Sequence, residues 1–299
     1  MEINVGERLW VVTFSTNGEY VLSGGRNVQV WQVQDGIQMA TANTRTSSWC
    51  CLAGSKDGRR IAAGTLEGDV HVWDADTYKQ VFAHKEDSCI RGVDFSPDSA
   101  RLVSASNNLN HTATVWDIAT RKKVHTLRHE GPVMAAKYSP QGDRIATATH
   151  RSVRVYDSND GRLLVDIEVT VFPSINASLL WFNNYLLVIS DGKIKQLEAS
   201  TGSVVSAWLV PHTRSSPCSA IPKHGEFIAY SAERTVTFWD TSTHTQLGLI
   251  QHFEDIASIA LSSDDRFLAI GGKSGKITIQ SLSPLVVSSV YSGWIKPPI

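Results

Sequence analysis

Seven segments of similar sequence recur along the 299-residue chain, and this repetition constrains the fold more than any other feature. In each segment, alternating apolar and polar residues lead to an anchor position, which holds an aromatic residue in five of the seven copies. The anchors lie 40 to 43 residues apart, at Trp31, Trp73, Trp116, Tyr156, Leu197, Trp239 and Gln280. A period near 40 residues is typical of folds in which a repeat buries its apolar faces only by stacking on its neighbours. We therefore expect one domain made of seven structural units.

Each repeat is predicted to consist of short strands. Segments such as Val70-His71-Val72 and Val236-Thr237-Phe238 show the period-two alternation of a half-buried strand, with β-branched residues enriched. Turn pairs suited to tight hairpins follow several anchors, at Asp35-Gly36, Asp160-Gly161 and Thr201-Gly202. No apolar stripe of period 3.6 persists over three turns, which predicts little helix. These patterns indicate four antiparallel strands per repeat.

The chain resembles the WD-repeat β-propeller family, and the resemblance covers residues 6 to 291. Three anchors carry the literal Trp-Asp pair, at Trp73-Asp74, Trp116-Asp117 and Trp239-Asp240. The resemblance implies an all-β fold, a seven-bladed β-propeller with four antiparallel strands per blade, formed by residues 1–299 as a single domain. The expected repeats are 6–42, 46–83, 88–128, 131–168, 175–210, 216–251 and 255–292, followed by a short C-terminal tail, 293–299.

Closure of the ring depends on which end of the chain supplies the outer strand of the last blade. In many relatives an N-terminal strand completes the last blade. Here the segment 285–291, LVVSSVY, has the composition of an outer strand of the seventh repeat. We therefore expect the C-terminus to complete the last blade.

The resemblance also implies a structural network inside the blades, in which a histidine, a serine or threonine, an acid and the anchor tryptophan form hydrogen bonds. The sixth repeat has the most complete set, His212, Ser231, Glu233 and Trp239. Histidines at or near the same place in other repeats are His84, His129 and His252. Glu67 and Asp191 match the acidic position, whereas other repeats have Gly25, Asn110, His150 and Ser274 there. Fewer satisfied networks predict softer blades.

Composition and motifs give no support to catalysis. The net charge of −1 provides no overall field for a phosphate backbone, so nucleic-acid binding is not expected. The segment 271–276, GGKSGK, lacks the spacing of a phosphate-binding loop and continues as a strand, which favours a simple turn. The histidines form no metal-binding motif, and there is no G-x-S-x-G elbow. We predict no catalytic residue, cofactor or metal, and therefore no enzyme; because a catalytic triad is recognised by geometry, a propeller enzyme remains a third hypothesis.

Targeting signals and cysteine usage point to the cytoplasm. The N-terminal MEINVGERLW lacks the basic and apolar regions of a signal peptide. The longest apolar stretch, 177–190, is interrupted by two asparagines and is too short to span a bilayer. The four cysteines show no C-x-x-C pair and are expected to be reduced and buried: Cys50, Cys51, Cys89 and Cys218. We expect a monomeric, cytoplasmic propeller without membrane contact.

In a WD-repeat propeller, the loops that join blades and the hairpins between second and third strands meet on one face, which we call the rim. The candidate partner-binding residues on it are Arg8, Trp10, Arg26, Leu66, Arg91, Met134, Arg151, Arg214, Asp255 and Lys273. Tryptophan and arginine often dominate interface energies, and methionine offers adaptable apolar surface. The leading hypothesis is a non-catalytic scaffold that binds a protein or peptide. The alternative is the ligand-sensing C-terminal domain of a multidomain NTPase signalling protein of the NACHT/WD-repeat kind.

Overall fold

The computed structural model describes residues 1–42, 48–107, 111–169, 179–190, 192–211 and 217–282. These residues form seven antiparallel sheets of four strands each, which we number as blades in chain order. The prediction of an all-β, seven-bladed propeller is confirmed. Within the described part of the chain, no helix has the length and apolar character needed to cross a membrane.

The first six blades each consist of four consecutive strands. Blade one contains β2 (Val11–Phe14), β3 (Tyr20–Gly24), β4 (Val28–Gln32) and β5 (Gln38–Ala42). Blade two contains β6 (Trp49–Gly54), β7 (Arg60–Thr65), β8 (Asp69–Asp74) and β9 (Gln80–Lys85). Blade three contains β10 (Ile90–Phe95), β11 (Arg101–Ser106), β12 (Thr112–Asp117) and β13 (Lys122–Arg128).

The second half of the ring repeats this arrangement. Blade four contains β14 (Ala135–Tyr138), β15 (Arg144–Ala148), β16 (Ser152–Asp157) and β17 (Leu163–Glu168). Blade five contains β18 (Leu179–Phe182), β19 (Tyr185–Ser190), β20 (Lys193–Glu198) and β21 (Val204–Leu209). Blade six contains β22 (Cys218–Ala220), β23 (Phe227–Ala232), β24 (Thr235–Asp240) and β25 (Gln246–Gln251). Blade seven contains β26 (Ile256–Leu261), β27 (Phe267–Gly272), β28 (Lys276–Ser281) and, from the other end of the chain, β1 (Glu2–Asn4).

The core of the molecule is divided among the junctions between blades. The described residues form seven clusters of buried apolar side chains, and each cluster joins two neighbouring blades. At the junction of blades two and three, for example, the ring of Phe82 lies 5.7 Å from the buried ring of Trp116. Because each buried large apolar side chain contributes roughly 1.5–3 kcal/mol, a blade gains most of its stability from its two neighbours.

The N-terminus, and not the C-terminus, supplies the outer strand of blade seven, so our prediction of ring closure was wrong. Strand β1 pairs antiparallel with β28, with Ile3 opposite Ile277. The chain then makes a further backbone bond, in which Val5 N donates to Gly275 O at 2.8 Å. The buried side chains of Ile3 and Val5 join the cluster between blades seven and one. Segment 285–291 lies outside the described residues.

Many hairpins contain a residue in the left-handed region of backbone space, and two of them bear on the sequence predictions. Asn183, with φ of 51°, lies in the two-residue turn between β18 and β19, and asparagine tolerates this conformation better than most residues. Gly275, with φ of 100°, ends the turn between β27 and β28, where a Cβ atom would lie 2.2 Å from Glu7 O. The glycine-rich segment 271–276 is therefore a strand-connecting turn, as the sequence predicted.

Candidate functional site

Backbone hydrogen bonds assemble the rim from two kinds of loop. In blades two to seven, the segment that leaves the outer strand donates a hydrogen bond to the hairpin between the second and third strands of the same sheet. This bond recurs as Val5 N to Gly275 O, Glu86 N to Gly68 O, His129 N to His111 O, Val169 N to Arg151 O and His252 N to Arg234 O, at 2.7 to 3.0 Å. Interblade links and hairpins therefore lie side by side on one face of the ring.

Arg8 and Trp10 form an ordered pair on the rim. The guanidinium carbon of the exposed Arg8 lies 4.4 Å from the centroid of the half-buried Trp10 ring. Trp10 N donates to Gly24 O at 2.9 Å, which fixes the backbone under the ring. Such a cation–π contact is worth about 0.5–1 kcal/mol at an exposed site. The pair presents a flat, cationic and partly apolar surface without further ordering.

Asp255 and Lys273 are also brought together, and they share a third group. Lys273 Nζ lies 3.4 Å from Asp255 Oδ2, and Arg234 Nε lies 3.2 Å from Asp255 Oδ1. The hydrogen bond from Arg234, together with the charge of Lys273, lowers the pKa of the Asp255 carboxyl. Sequence reasoning named Asp255 and Lys273 but missed Arg234, whose place in the adjacent hairpin becomes evident only from strand register.

Arg91 lies at a bulge near the start of β10, where the register shifts between Ile90 and Gly92. Its Nε atom is buried and finds no hydrogen-bond acceptor among the described residues. The thiols of Cys50 and Cys89 lie near it. Hydrogen bonding with the Cys51 thiol and burial raise the pKa of Cys50, and hydrogen bonding with Cys50 and burial raise the pKa of Cys89, whereas the charge of Arg91 opposes both shifts. Arg91 is half-buried, so only part of its side chain is accessible. All four cysteines are free and buried, as predicted.

The other rim candidates have different surroundings. Met134 is only 6% exposed, so it does not offer the adaptable surface that the sequence suggested; Met134 N bonds Ala148 O immediately before β14, and the side chain is buried. Arg26 and Leu66 are exposed in the hairpins of blades one and two. Arg151 is exposed in a recess shared with Glu130, Pro132, His150 and Arg154. Arg214 lies outside the described residues.

The histidine network is best developed in blade four. His129 Nε2 lies 2.7 Å from Thr147 Oγ1 and 3.2 Å from the hydroxyl of Tyr156, which replaces tryptophan at this anchor. Burial and the nearby charge of Arg154 lower the pKa of His129 to about 4. In blade seven, His252 Nε2 lies 3.2 Å from Thr278 Oγ1. Both histidines stabilise the connection between neighbouring blades from below the rim.

Two anchor tryptophans donate a hydrogen bond directly to a serine of the same blade, with no histidine between them. Trp31 Nε1 donates to Ser23 Oγ at 2.9 Å, and Trp116 Nε1 donates to Ser104 Oγ at 3.0 Å. In blade three the place equivalent to His129 belongs to Glu86, because Glu86 N makes the equivalent backbone bond. His84, which the sequence placed there, instead lies in β9 with its ring 4.1 Å from that of Trp116.

In blade six the described members of the predicted network have separate partners. Trp239 Nε1 donates to Thr237 Oγ1 at 2.9 Å, and Ser231 Oγ accepts from Cys218 N at 2.9 Å. Glu233 is exposed in the hairpin with φ of 54°. His212 lies outside the described residues, so the four-residue network of this blade stays a prediction. Among the residues that the structure describes, no group of three or more His, Cys, Asp and Glu is placed to hold a metal ion.

Comparison with known proteins gives matches to individual repeats. Residues 38–74, 76–117 and 121–157 match the family model described as WD domain, G-beta repeat. Each match begins at or just before the outer strand of one blade and ends in the third strand of the next, since the first runs from β5 to β8. In this register β1 is the first strand of the first repeat, which explains why it completes blade seven.

Three curated relatives align over about a third of the chain. U3 small nucleolar RNA-associated protein 15 of Schizosaccharomyces pombe is 32% identical over 111 residues, which is 36% of this chain and 22% of that protein. WD repeat-containing protein SL1-17 of Schistosoma mansoni is 31% identical over 106 residues, 33% of this chain and 34% of that protein. Protein SPA1-RELATED 4 of Arabidopsis thaliana is 27% identical over 110 residues, 34% of this chain and 13% of that protein. The chain thus matches only a minor part of the length of these relatives.

Proposed function

Because the chain belongs to the WD-repeat family of β-propellers, we propose that it is a non-catalytic scaffold that binds a protein or peptide partner across the rim. The Arg8–Trp10 pair is the observation that carries this proposal. It places an aromatic and a guanidinium group, the two types most common among interface hot spots, in contact on the rim. Ordering before binding reduces the entropy that a partner has to overcome.

The polar groups of the rim support a structural and recognition role. Glu7 accepts hydrogen bonds from the backbone of Asn27, and Glu254 accepts from both the backbone and the hydroxyl of Ser274. These acids hold hairpins in place. Asp255 and its ion-pair partners Arg234 and Lys273 add charges of both signs at the rim, which favours a partner whose charges are arranged to complement them. The proposal assigns no catalytic residue, cofactor or metal.

A second proposal concerns the kind of assembly. The relative from Schizosaccharomyces pombe is named a U3 small nucleolar RNA-associated protein, which makes a ribonucleoprotein complex one setting for the scaffold. We propose that contact there would be with protein, because the chain carries a net charge of −1 and has no overall field for RNA. We also propose a cytoplasmic location. Imaging of a fluorescently tagged chain tests it, and a nucleolar signal would contradict it.

The rim proposal predicts that a triple variant, Arg8→Ala, Trp10→Ala and Arg91→Ala, loses its partner. Tagged wild-type and variant chains are used for affinity capture and mass spectrometry, with and without ribonuclease. The matched control replaces three exposed residues of the opposite face, Lys56, Arg59 and Lys223, by alanine. We expect recovery of the partner to fall at least about tenfold in the rim variant alone and to survive ribonuclease. If circular dichroism shows that the rim variant is folded and it recovers the partner as well as the wild type does, the result would count against the proposal.

A further inference from the structure

Among the residues that the structure describes, the outer strand of blade five has one edge without a hydrogen-bonded neighbour. Its sheet has the order β18-β19-β20-β21, so β21 has a hydrogen-bonded neighbour on one side only. Val210 N donates to Gly192 O, which directs the backbone groups of alternate residues, including Trp208, towards β20. The N–H and C=O groups of Ala207 and Leu209 therefore point away from the sheet.

The side chains of this edge are unusually apolar. Val204, Val205 and Leu209 are 59%, 53% and 70% exposed, and β21 contains no charged residue. Outer strands β9, β13 and β17 carry charges, as in Lys85, Lys123 and Asp166. Outer strands β5 and β25 also lack charged residues, but neither has more than one large apolar side chain that is over half exposed, whereas β21 has three. Charged side chains are a common means by which proteins keep exposed edges from pairing, and β21 lacks this protection.

The opposite face of the strand is fixed to the next blade. Trp208 is buried, and its ring stacks on His244 of blade six with centroids 4.3 Å apart. A register shift between Gln196 and Leu197 marks a bulge beside Val205. The edge is thus held rigidly in an extended conformation, which lowers the cost of adding another strand to it.

Two lysines define the charge that an added strand would meet. Lys193 lies opposite Leu209 and Lys195 lies opposite Ala207, so both share the face of the apolar edge residues. Neither forms an ion pair with a described residue. An acidic side chain on the added strand, next to Ala207, would lie within reach of these lysines.

We propose that the outer edge of β21 binds an extended segment of a partner protein by β-strand addition. Apolar side chains of that segment lie beside Val205 and Leu209, and an acidic side chain lies beside Ala207. Main-chain hydrogen bonds to Ala207 and Leu209 supply affinity, and the alternate side chains supply specificity. This surface lies on the outer circumference and works independently of the rim.

The test uses fluorescence anisotropy with the full chain and the labelled peptide acetyl-Thr-Val-Thr-Glu-Thr-Val-Thr-amide. We expect saturable binding that weakens at least about tenfold in Val205→Lys, which places a charge on the edge. Ala207→Pro, which removes an outward N–H, is expected to act similarly, and Lys195→Gln to weaken binding less. The control is Leu249→Lys on β25, where another exposed apolar residue of an outer strand is replaced.

Peptide controls separate backbone pairing from simple apolar contact. A peptide N-methylated at its glutamate and first valine, and one with lysine in place of glutamate, are both expected to bind at least about tenfold more weakly. Absence of saturable binding, or equal binding by the N-methylated peptide or by Val205→Lys, would overturn the proposal. Analytical ultracentrifugation of the wild type provides a further check, since self-association that Val205→Lys abolishes would show that a second copy takes the edge instead.

Discussion

At the scale of single residues, buried polar groups distinguish the blades from one another. Tryptophan anchors in blades one and three donate directly to a serine, whereas blade four joins His129, Thr147 and Tyr156. A buried polar group without a partner costs about 1–3 kcal/mol, so these bonds help to specify which strands pack together. The anchor positions were evident from sequence, but their partners were not, because a partner is chosen by strand register.

The lowered pKa of His129 predicts a pH-dependent stability. Its folded pKa is about 4 and the ordinary value is 6.5, so the unfolded chain binds the proton more readily between these values. The free energy of unfolding therefore falls as the pH drops from 6.5 towards 4, by up to about 3 kcal/mol. The loss of stability is complete below the folded pKa. Chemical denaturation at about pH 7.5 and about pH 4.5 measures the loss.

The control for this prediction is His129→Gln, which cannot titrate. The advantage of wild type over the variant is expected to shrink on acidification, while the effects of carboxylates shared by both proteins cancel. An advantage that stays constant across this range would contradict the assignment of a buried, neutral histidine.

At the scale of strands, the sequence predicted the presence of the strands more accurately than it predicted which blade each strand joins. The period of the anchors identified the strands of every repeat, and even blade five, with its unusual Asn183 turn, has four of them. The prediction of which terminus completes the last blade was wrong because β1 has only three residues, too few for an alternating pattern to show. Segment 285–291 is longer and more apolar. The prediction that Met134 offers apolar surface on the rim was wrong for a related reason, since its position near the start of a strand decides whether the side chain points inward.

Closure by β1 predicts that Ile3 contributes to stability. Its side chain is buried between blades seven and one, so Ile3→Ala should lower the free energy of unfolding by about 2–5 kcal/mol. The neighbouring exposed Glu2→Ala should change it by less than about 0.5 kcal/mol. Urea denaturation of both variants measures the difference. Equal, small effects would mean that the N-terminal strand does not close the ring.

At the scale of the whole molecule, seven apolar junctions between blades produce one ring whose faces differ. The sequence indicated the ring and most of the rim positions, because each repeat places its hairpin at the same point of the period. It did not indicate the pairing of Asp255 with Arg234 or the uncovered edge of β21, since both depend on contacts between segments that are distant in sequence. We propose that the rim is the surface that recognises a protein.

Site-specific photo-crosslinking tests this claim most directly. A photoreactive phenylalanine is placed on the rim at Arg26, Leu66 or Arg151, and on the opposite face at Lys56, Arg59 or Lys223, all of which are exposed. After irradiation in an extract of the source cells, the rim positions are expected to give a discrete protein adduct that excess unlabelled chain competes away. The opposite-face positions are expected to give none. Adducts confined to the opposite face, with none at the rim, would contradict the account.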